Sequence, residues 1–290
     1  MSLPVLSDEE KTFIREAAYF LENPGFTMRA MNAIGKPLDA IQAQLPDSVQ
    51  ESLGAWVQKA LQTSLLAAIK TMNQSETKPK HWREAIPGSR KVGWTHTAGV
   101  AVTGALGGLF GLVALPLELP ISTTIMLRGI SSVAAQWGMD LKDPTIQLQC
   151  LYVFTLGSPN RDEDDDLDSA YLSSRLAFEK MMRSATKYMA HKSAAELLKI
   201  LDSGTAPALI KIITRVAKSF QLTLTEKLLA KSVPLIGAVG GATINALFCD
   251  YFTEAARYHF GILHMEEVHG RDIVQKEFIA ARSMPNPEKT

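Results

Sequence analysis

The chain has 290 residues, with 30 basic and 30 acidic side chains and a pI near 7. This balance excludes an overall electrostatic attraction to nucleic acid or anionic lipid, so any such contact must be local or apolar. Cys150 and Cys249 lack Cys-x-x-Cys spacing, which favours reduced, buried thiols in a cytoplasmic protein. The first 20 residues are charged and lack the apolar core of a secretory signal, so we expect no export.

Two helices are predicted in the first quarter of the chain. Ser7 and Glu10 match a capping box, and the apolar spacing that follows predicts a helix ending near Asn23. Apolar residues then recur at steps of three and four from 47 to 72, which predicts the most clearly amphipathic helix of the chain. Such a helix either packs in a core or docks on a membrane surface. A basic, proline-containing stretch at residues 78–91 follows.

Two uncharged segments rich in glycine dominate the centre of the sequence. Residues 97–117 and 232–249 carry no charged side chain. As a helix, the first would rise roughly 31 Å, enough to cross the hydrocarbon of a bilayer. Glycine is costly in an exposed helix, so a partner must pack against these segments. Spacings of four residues align glycines on one face, and we expect the two segments to pack together as a buried hairpin or with partial insertion. The paired glycines are Gly104 with Gly108, Gly107 with Gly111, and Gly237 with Gly241.

Polar residues near the ends of these segments are the candidate ligand-binding groups. Pro120 predicts a helix start, whose free amides near residues 122–124 can bind an anion or simply be capped. Arg128, two turns further on, is expected to face the same cleft or to pair with Glu118. An unpaired carboxylate in apolar surroundings is costly, so Glu118 should find a cation, hydroxyl donors or a proton. The predicted binding set is Glu118, Thr123, Thr124, Arg128, Asn245 and Asp250.

The segments between the two uncharged stretches are predicted to be helical, apart from an acidic loop. Asp143 and Pro144 match a helix start, and the apolar residues that follow predict deep burial as far as Gly157. Residues 162–168 hold six acids, but Leu167 and Ser173 stand where a calcium loop needs glycine and a carboxylate. We therefore expect a solvated loop that complements the start of the next helix.

A further amphipathic helix is predicted from residue 208 to 220. Its polar face carries Lys211, Arg215 and Lys218, which can meet lipid headgroups or form a solvated face. Residues 220–225 alternate between apolar and polar side chains, and we interpret them as a connector that ends in Thr225 as a helix cap.

Known catalytic patterns are missing from the sequence. His259, His264 and His269 follow steps of five, which places successive side chains about 140° apart on a helix and is poor for one metal ion. Glu266 and His269 form a single Glu-x-x-His, too little for a di-metal bundle, and are expected on a solvated helix end. There is no nucleophile elbow, P-loop or basic aromatic patch for nucleic acid. We expect no metal, no cofactor and no nucleic-acid partner.

Several blocks of sequence resemble one protein family. Residues 116–129 read PLELPISTTIMLRG and are similar to the signature of the EcsC-like family, and residues 233–245 resemble its last block. Residues 138–144, 148–157 and 171–175 resemble the blocks between them, while Trp137 and Gly157-Ser158 depart from the family pattern. The resemblance implies a mostly helical bacterial protein, with relatives that sit beside an ABC-type transporter system in some organisms and have no established biochemical activity.

Together these observations predict an all-α protein, a multi-helix bundle around two glycine-rich apolar helical segments. We expect an amphipathic helical region at 1–77, an EcsC-like helical domain at 78–270 and a C-terminal helix end and tail at 271–290. The expected function is non-catalytic: binding of a lipid or other apolar ligand, or docking on a membrane transporter, at the inner face of the membrane. The alternative is a hydrolase or transferase that acts on a lipid-like substrate with Glu118 as acid or base.

Overall fold

The structure is a computed structural model that describes residues 5–23, 47–72, 115–157, 169–231, 237–282 and 284. Side chains are described throughout these ranges except at 71–72, 226–231 and 237–245. The described residues form nine α-helices and no strand, which confirms the all-α prediction. The helices are α1 Asp8–Glu22, α2 Asp47–Met72, α3 Leu115–Gln136, α4 Pro144–Tyr152, α5 Ala170–Met189, α6 Ala194–Asp202, α7 Pro207–Lys231, α8 Gly237–His269 and α9 Arg271–Arg282.

The helix starts that have strong local signals lie where the sequence predicts them. Ser7 and Glu10 form the capping box of α1: the Ser7 amide donates to Glu10 at 2.7 Å, and the Glu10 amide donates to the Ser7 hydroxyl. Asp143 caps α4 by accepting from the Thr145 amide at 2.7 Å. The acidic run at 162–168 lies outside the described residues.

Helix α3 begins earlier than the sequence predicts. Its first residue is Leu115, so Pro116 occupies the first turn and Pro120 lies inside the helix. Proline is well suited to a first turn because the amide it lacks has no intrahelical partner there. The predicted helix start at Pro120, with free amides at residues 122–124, is therefore wrong.

Helix α7 continues past the predicted connector at 220–225. Thr225 is inside the helix, and its hydroxyl donates to the Gln221 carbonyl at 2.9 Å instead of capping a new helix. A threonine hydroxyl can bond back to the preceding turn, so alternating polarity over six residues did not interrupt the helix.

The helices enclose one hydrophobic core. Helix α3 packs against α2 and α8, α7 packs against α2 and α5, and α1 packs against α8 and α9. A cluster of phenylalanine rings joins the short 3-10 turn after α4 to α7 and α8; its members are Phe154, Phe220, Phe248 and Phe252. Cys150 and Cys249 are buried free thiols in this core.

The glycine-rich segments are only partly described. Residues 97–114 lie outside the described ranges, so their packing against the second segment stays a prediction, as do the domain boundaries. Gly237 and Gly241 are in the first turns of α8. Within the described ranges, no helix combines the length and apolar character needed to span a bilayer.

Candidate functional site

The start of α3 presents large apolar side chains to solvent. Leu117 is 78% exposed and Ile121 is 55% exposed. At 100° per residue, Leu117, Ile121 and Arg128 fall within about 40° of one another on the helix. Arg128 is also exposed. We call Leu117, Ile121 and Arg128 the α3 outer stripe; it places two apolar side chains at one end and a cation at the other.

Hydrogen bonds between hydroxyl groups connect this part of α3 to α2. The Thr124 hydroxyl donates to the Pro120 carbonyl at 2.6 Å, and it lies 3.0 Å from the Ser64 hydroxyl of α2. Since the one hydroxyl proton of Thr124 is used on Pro120, Ser64 donates to Thr124. Ser64 is fully buried. Thr124 therefore positions the α3 outer stripe relative to α2.

The other predicted binding residues of α3 lie in different surroundings. Thr123 is fully buried, and its hydroxyl has no hydrogen-bond partner in the described part of the chain. Glu118 is half-buried at the same end of the helix as Leu117. Glu118 and Arg128, both among the described residues, do not form the ion pair that was one of the two expectations for Arg128. Helix α3 thus directs Thr123 inward and Arg128 outward.

The two predicted binding residues on α8 are Asp250 and Asn245. Asp250 is exposed at the surface. Partial desolvation and the neighbouring Glu254 carboxylate raise the pKa of Asp250, while Arg257 opposes the rise. The Asn245 side chain lies outside the described set. Ligand binding by the six residues therefore stays a prediction.

A buried polar network on α4, α5 and α8 escaped the sequence analysis. His259 is fully buried and lies 2.9 Å from both the Tyr171 hydroxyl and the Gln149 side-chain oxygen. Burial, together with the Arg175 charge, holds the pKa of His259 well below its usual value. The neutral ring therefore donates through Nε2 to Gln149 and accepts at Nδ1 from Tyr171. Burial raises the pKa of Tyr171 to about 12, so both groups stay uncharged near neutral pH.

Two further charged contacts join distant parts of the chain. Arg175 is completely buried and donates to Glu266 at 2.6 Å. His269 is buried 2.9 Å from Glu10 of α1. The expectation that Glu266 and His269 lie on a solvated helix end is wrong, because Arg175 of α5 and Glu10 of α1 bond to them and α1 and α9 pack on α8.

Helix α1 also supplies a charge to the start of α5. Glu22 accepts from the Ser169 hydroxyl and from the amides of Ala170 and Tyr171, both at 3.3 Å. A carboxylate is stabilised there by the positive end of the helix dipole. No local signal links Glu22 to Ser169, which is 147 residues away.

The three histidines of α8 do not converge. His259 and His269 have the partners described above, and the His264 ring packs against Trp137 at 5.7 Å between ring centroids. The described residues contain no group of three or more histidine, cysteine or acidic side chains arranged to hold a metal ion.

Comparison with known proteins identifies a family. The sequence model of the EcsC protein family matches residues 19–262. This range is most of the chain and includes the whole α3 outer stripe. No curated protein and no solved structure matches the chain.

Proposed function

The chain belongs to the EcsC protein family, and we propose that it is a non-catalytic, membrane-associated protein that lodges the start of α3 among lipid acyl chains. The observation that carries the proposal is the exposure of Leu117 and Ile121 on one face of the family's signature segment. Single exposed apolar residues are ordinary, but two large ones a turn apart at the end of an uncharged segment form a local apolar surface.

The dimensions of the α3 outer stripe fit the boundary of a bilayer. Seven residues separate Ile121 from Arg128, which corresponds to about 10 Å along a helix. If α3 enters the bilayer with its start foremost, this axial offset leaves the Arg128 guanidinium at the level of the phosphates while Leu117 and Ile121 lie among the acyl chains. In the sequence, the uncharged residues 97–114 directly precede the stripe.

The partner in this proposal is a lipid, and the place of action is the inner face of the cytoplasmic membrane. Hydroxyl bonds from Ser64 and Thr124 support the proposal because they hold the stripe in a fixed orientation without using its exposed side chains. An ABC-type transporter is the other candidate partner, and it would engage the same surface.

Vesicle flotation tests the proposal. The double variant Leu117→Ser and Ile121→Ser should lose about 3 kcal/mol of apolar burial, or roughly 100-fold in vesicle partitioning. Val268→Ser with Ile273→Ser is the matched control, because these exposed apolar residues lie on α8 and α9. Thermal unfolding of both variants checks that they fold.

Two results would reject membrane insertion at this site. One is equal partitioning of the Leu117/Ile121 double variant and the control. The other is wild-type protein that remains with the soluble fraction in flotation yet co-purifies with a transporter, which would move the proposal to protein docking.

The second proposal is an enzyme that acts on a lipid-like substrate. Its support is the Glu118 carboxylate, which is half-buried on the same helical turn as Leu117 and therefore next to the proposed lipid contact. In this case Glu118→Gln should leave vesicle partitioning and the unfolding temperature unchanged but abolish turnover in a screen of lipid esters and phosphates. The absence of turnover in the wild-type protein would reject it.

A further inference from the structure

Residues 207–225 of α7 present a basic face to solvent. Residues 207–225 hold Lys211, Arg215 and Lys218 but no aspartate or glutamate. Lys211, Lys218 and Leu222 are exposed, and their spacings of seven and eleven place them within about 40° on the helix. Ile212, Ile213 and Val216 are buried on the opposite side. The cations therefore point directly away from the core.

The neighbouring helix α2 carries a second pair of exposed lysines. Residues 52–72 likewise contain no acid, and Lys59 and Lys70 are exposed, eleven residues apart and so on one face. Helices α2 and α7 are in contact, with the Gln221 side chain lying against Gly54. We call Lys59, Lys70, Lys211 and Lys218 the basic face.

The basic face departs from the charge balance of the whole chain. Acidic and basic residues are equal in number overall, at 30 each. Helices in contact with α2 or α7 carry acids: Glu118 lies on α3, Glu179 on α5, and Glu196 and Asp202 on α6. Glu179 is paired with Arg175 and Arg271. Asp47 and Glu51 lie in the first turns of α2, and Glu226 follows Leu222 by four residues in α7. Glu196 is engaged in its own capping box with Ser193. A local positive potential is therefore expected over α2 and α7 although the net charge is zero.

We propose that the basic face binds anionic lipid headgroups. This inference rests on the proposed membrane association and adds to it the charge of the membrane. Leu222 favours lipid over nucleic acid, because an exposed leucine in line with two lysines suits the boundary between headgroups and acyl chains. Single-stranded nucleic acid instead favours exposed aromatic rings for base stacking, and the basic face itself consists of lysines. Helix α2 lies between α7 and α3 and contacts both, so the basic face adjoins the helix that carries the α3 outer stripe.

The test compares flotation of the full chain with vesicles of pure phosphatidylcholine and with phosphatidylcholine mixed with phosphatidylglycerol. Each lysine close to an anionic membrane contributes about fivefold to partitioning. The double variant Lys211→Gln and Lys218→Gln should therefore partition about 25-fold more weakly on the anionic vesicles and equally well on the neutral ones. Added salt should weaken wild-type binding to anionic vesicles alone.

The matched control is Lys180→Gln with Lys187→Gln. These lysines are also exposed and seven residues apart, but they lie on α5. The control should keep the anionic preference of the wild type. All variants change solvated side chains, and circular dichroism confirms their folding.

The outcomes separate the two proposals. If wild-type protein floats equally with both kinds of vesicle, or if both lysine pairs lower anionic binding equally, the basic face is refuted while insertion at α3 stands. If the Lys211/Lys218 pair affects retention of a homopolymeric RNA but not vesicle binding, the partner is nucleic acid and the inference is wrong. If wild-type protein floats with neither vesicle, both proposals fail.

Discussion

A close approach between α1 and α8 makes Gly261→Ala a sensitive probe of the fold. A methyl group added at Gly261 would lie 2.5 Å from Cε1 of Phe13 and 2.9 Å from Cζ2 of Trp137. Carbon atoms in contact normally lie about 3.5–4.0 Å apart, so the Phe13 ring would have to move by about 1 Å. It has little room, because it is buried and packs against Trp137 and Tyr258, with ring centroids 5.3 and 5.6 Å away.

The magnitude follows from two opposing effects. Overpacking of a core costs about 1–3 kcal/mol, and contact with two rigid rings favours the upper end of that range. Replacing glycine by alanine inside a helix recovers about 1 kcal/mol. We expect Gly261→Ala to lower the free energy of unfolding by about 2 kcal/mol.

Urea unfolding followed by circular dichroism measures this change, and Gly54→Ala is the control. A methyl group at Gly54 meets only the end of the flexible Gln221 side chain, at 3.0 Å, so that variant should be stabilised by about 0.5–1 kcal/mol. Phe13→Leu should cost less in the Gly261→Ala background than in the wild type, because it relieves the overlap. Equal stabilisation by the two alanine variants would refute the proposed contact between α1 and α8.

Three other predictions concern charged and reactive groups. Desolvation alone would raise the pKa of Glu10, but hydrogen bonds from Ser7 and His269 lower it below its ordinary 4.5. Ionised Glu10 therefore stabilises the fold above about pH 4.5, and this stabilisation is lost as the pH falls through the lowered pKa. Urea titrations should show that the difference in free energy of unfolding between wild type and Glu10→Gln disappears in acid. Glu266→Gln should destabilise by about 2 kcal/mol in the same assay, because it removes one of the two carboxylates beside the buried Arg175 and leaves Glu179 at 3.3 Å. A change below that of Glu196→Gln, at an exposed residue of α6, would contradict this. Burial raises the pKa of Cys150 to about 12, so a thiol reagent at pH 8 should label it only after unfolding, and rapid labelling of native protein would show the burial to be wrong.

Local patterns predicted much of the helical architecture. The capping box at Ser7, the helix from Asp47 to Met72 and the start at Asp143–Pro144 all depend on residues within a few positions of each other. The errors at Pro120 and Thr225 have a common physical cause. Threonine is compatible with both the end and the inside of a helix, whereas proline inside a helix loses one backbone hydrogen bond. In both cases packing against other helices decides whether the helix continues.

The charged contacts of the interior could not be predicted in this way. Glu10 and His269 are separated by 259 residues, and Arg175 and Glu266 by 91. Neither pair has a spacing signal, and charged residues usually indicate a solvated surface. Only the three-dimensional arrangement of α1, α5 and α8 makes them partners. The α3 outer stripe was partly predictable: Arg128 was singled out, whereas the exposure of Leu117 and Ile121 depends on which face of α3 meets α2 and α8.

The contact between α1 and α9 has a consequence for how far the family extends. The matched region, 19–262, begins within α1 and ends within α8, so Glu10, His269 and all of α9 lie beyond it on opposite flanks. These flanks touch each other, since α9 packs on α1 and Glu10 bonds to His269. A protein shortened to residues 19–262 would lose both Glu10 and His269. It would also lose Phe13, and the aromatic surface of α8 that Phe13 covers would become exposed to solvent. Relatives that lack one flank should lack the other as well, or else shield that surface by different means.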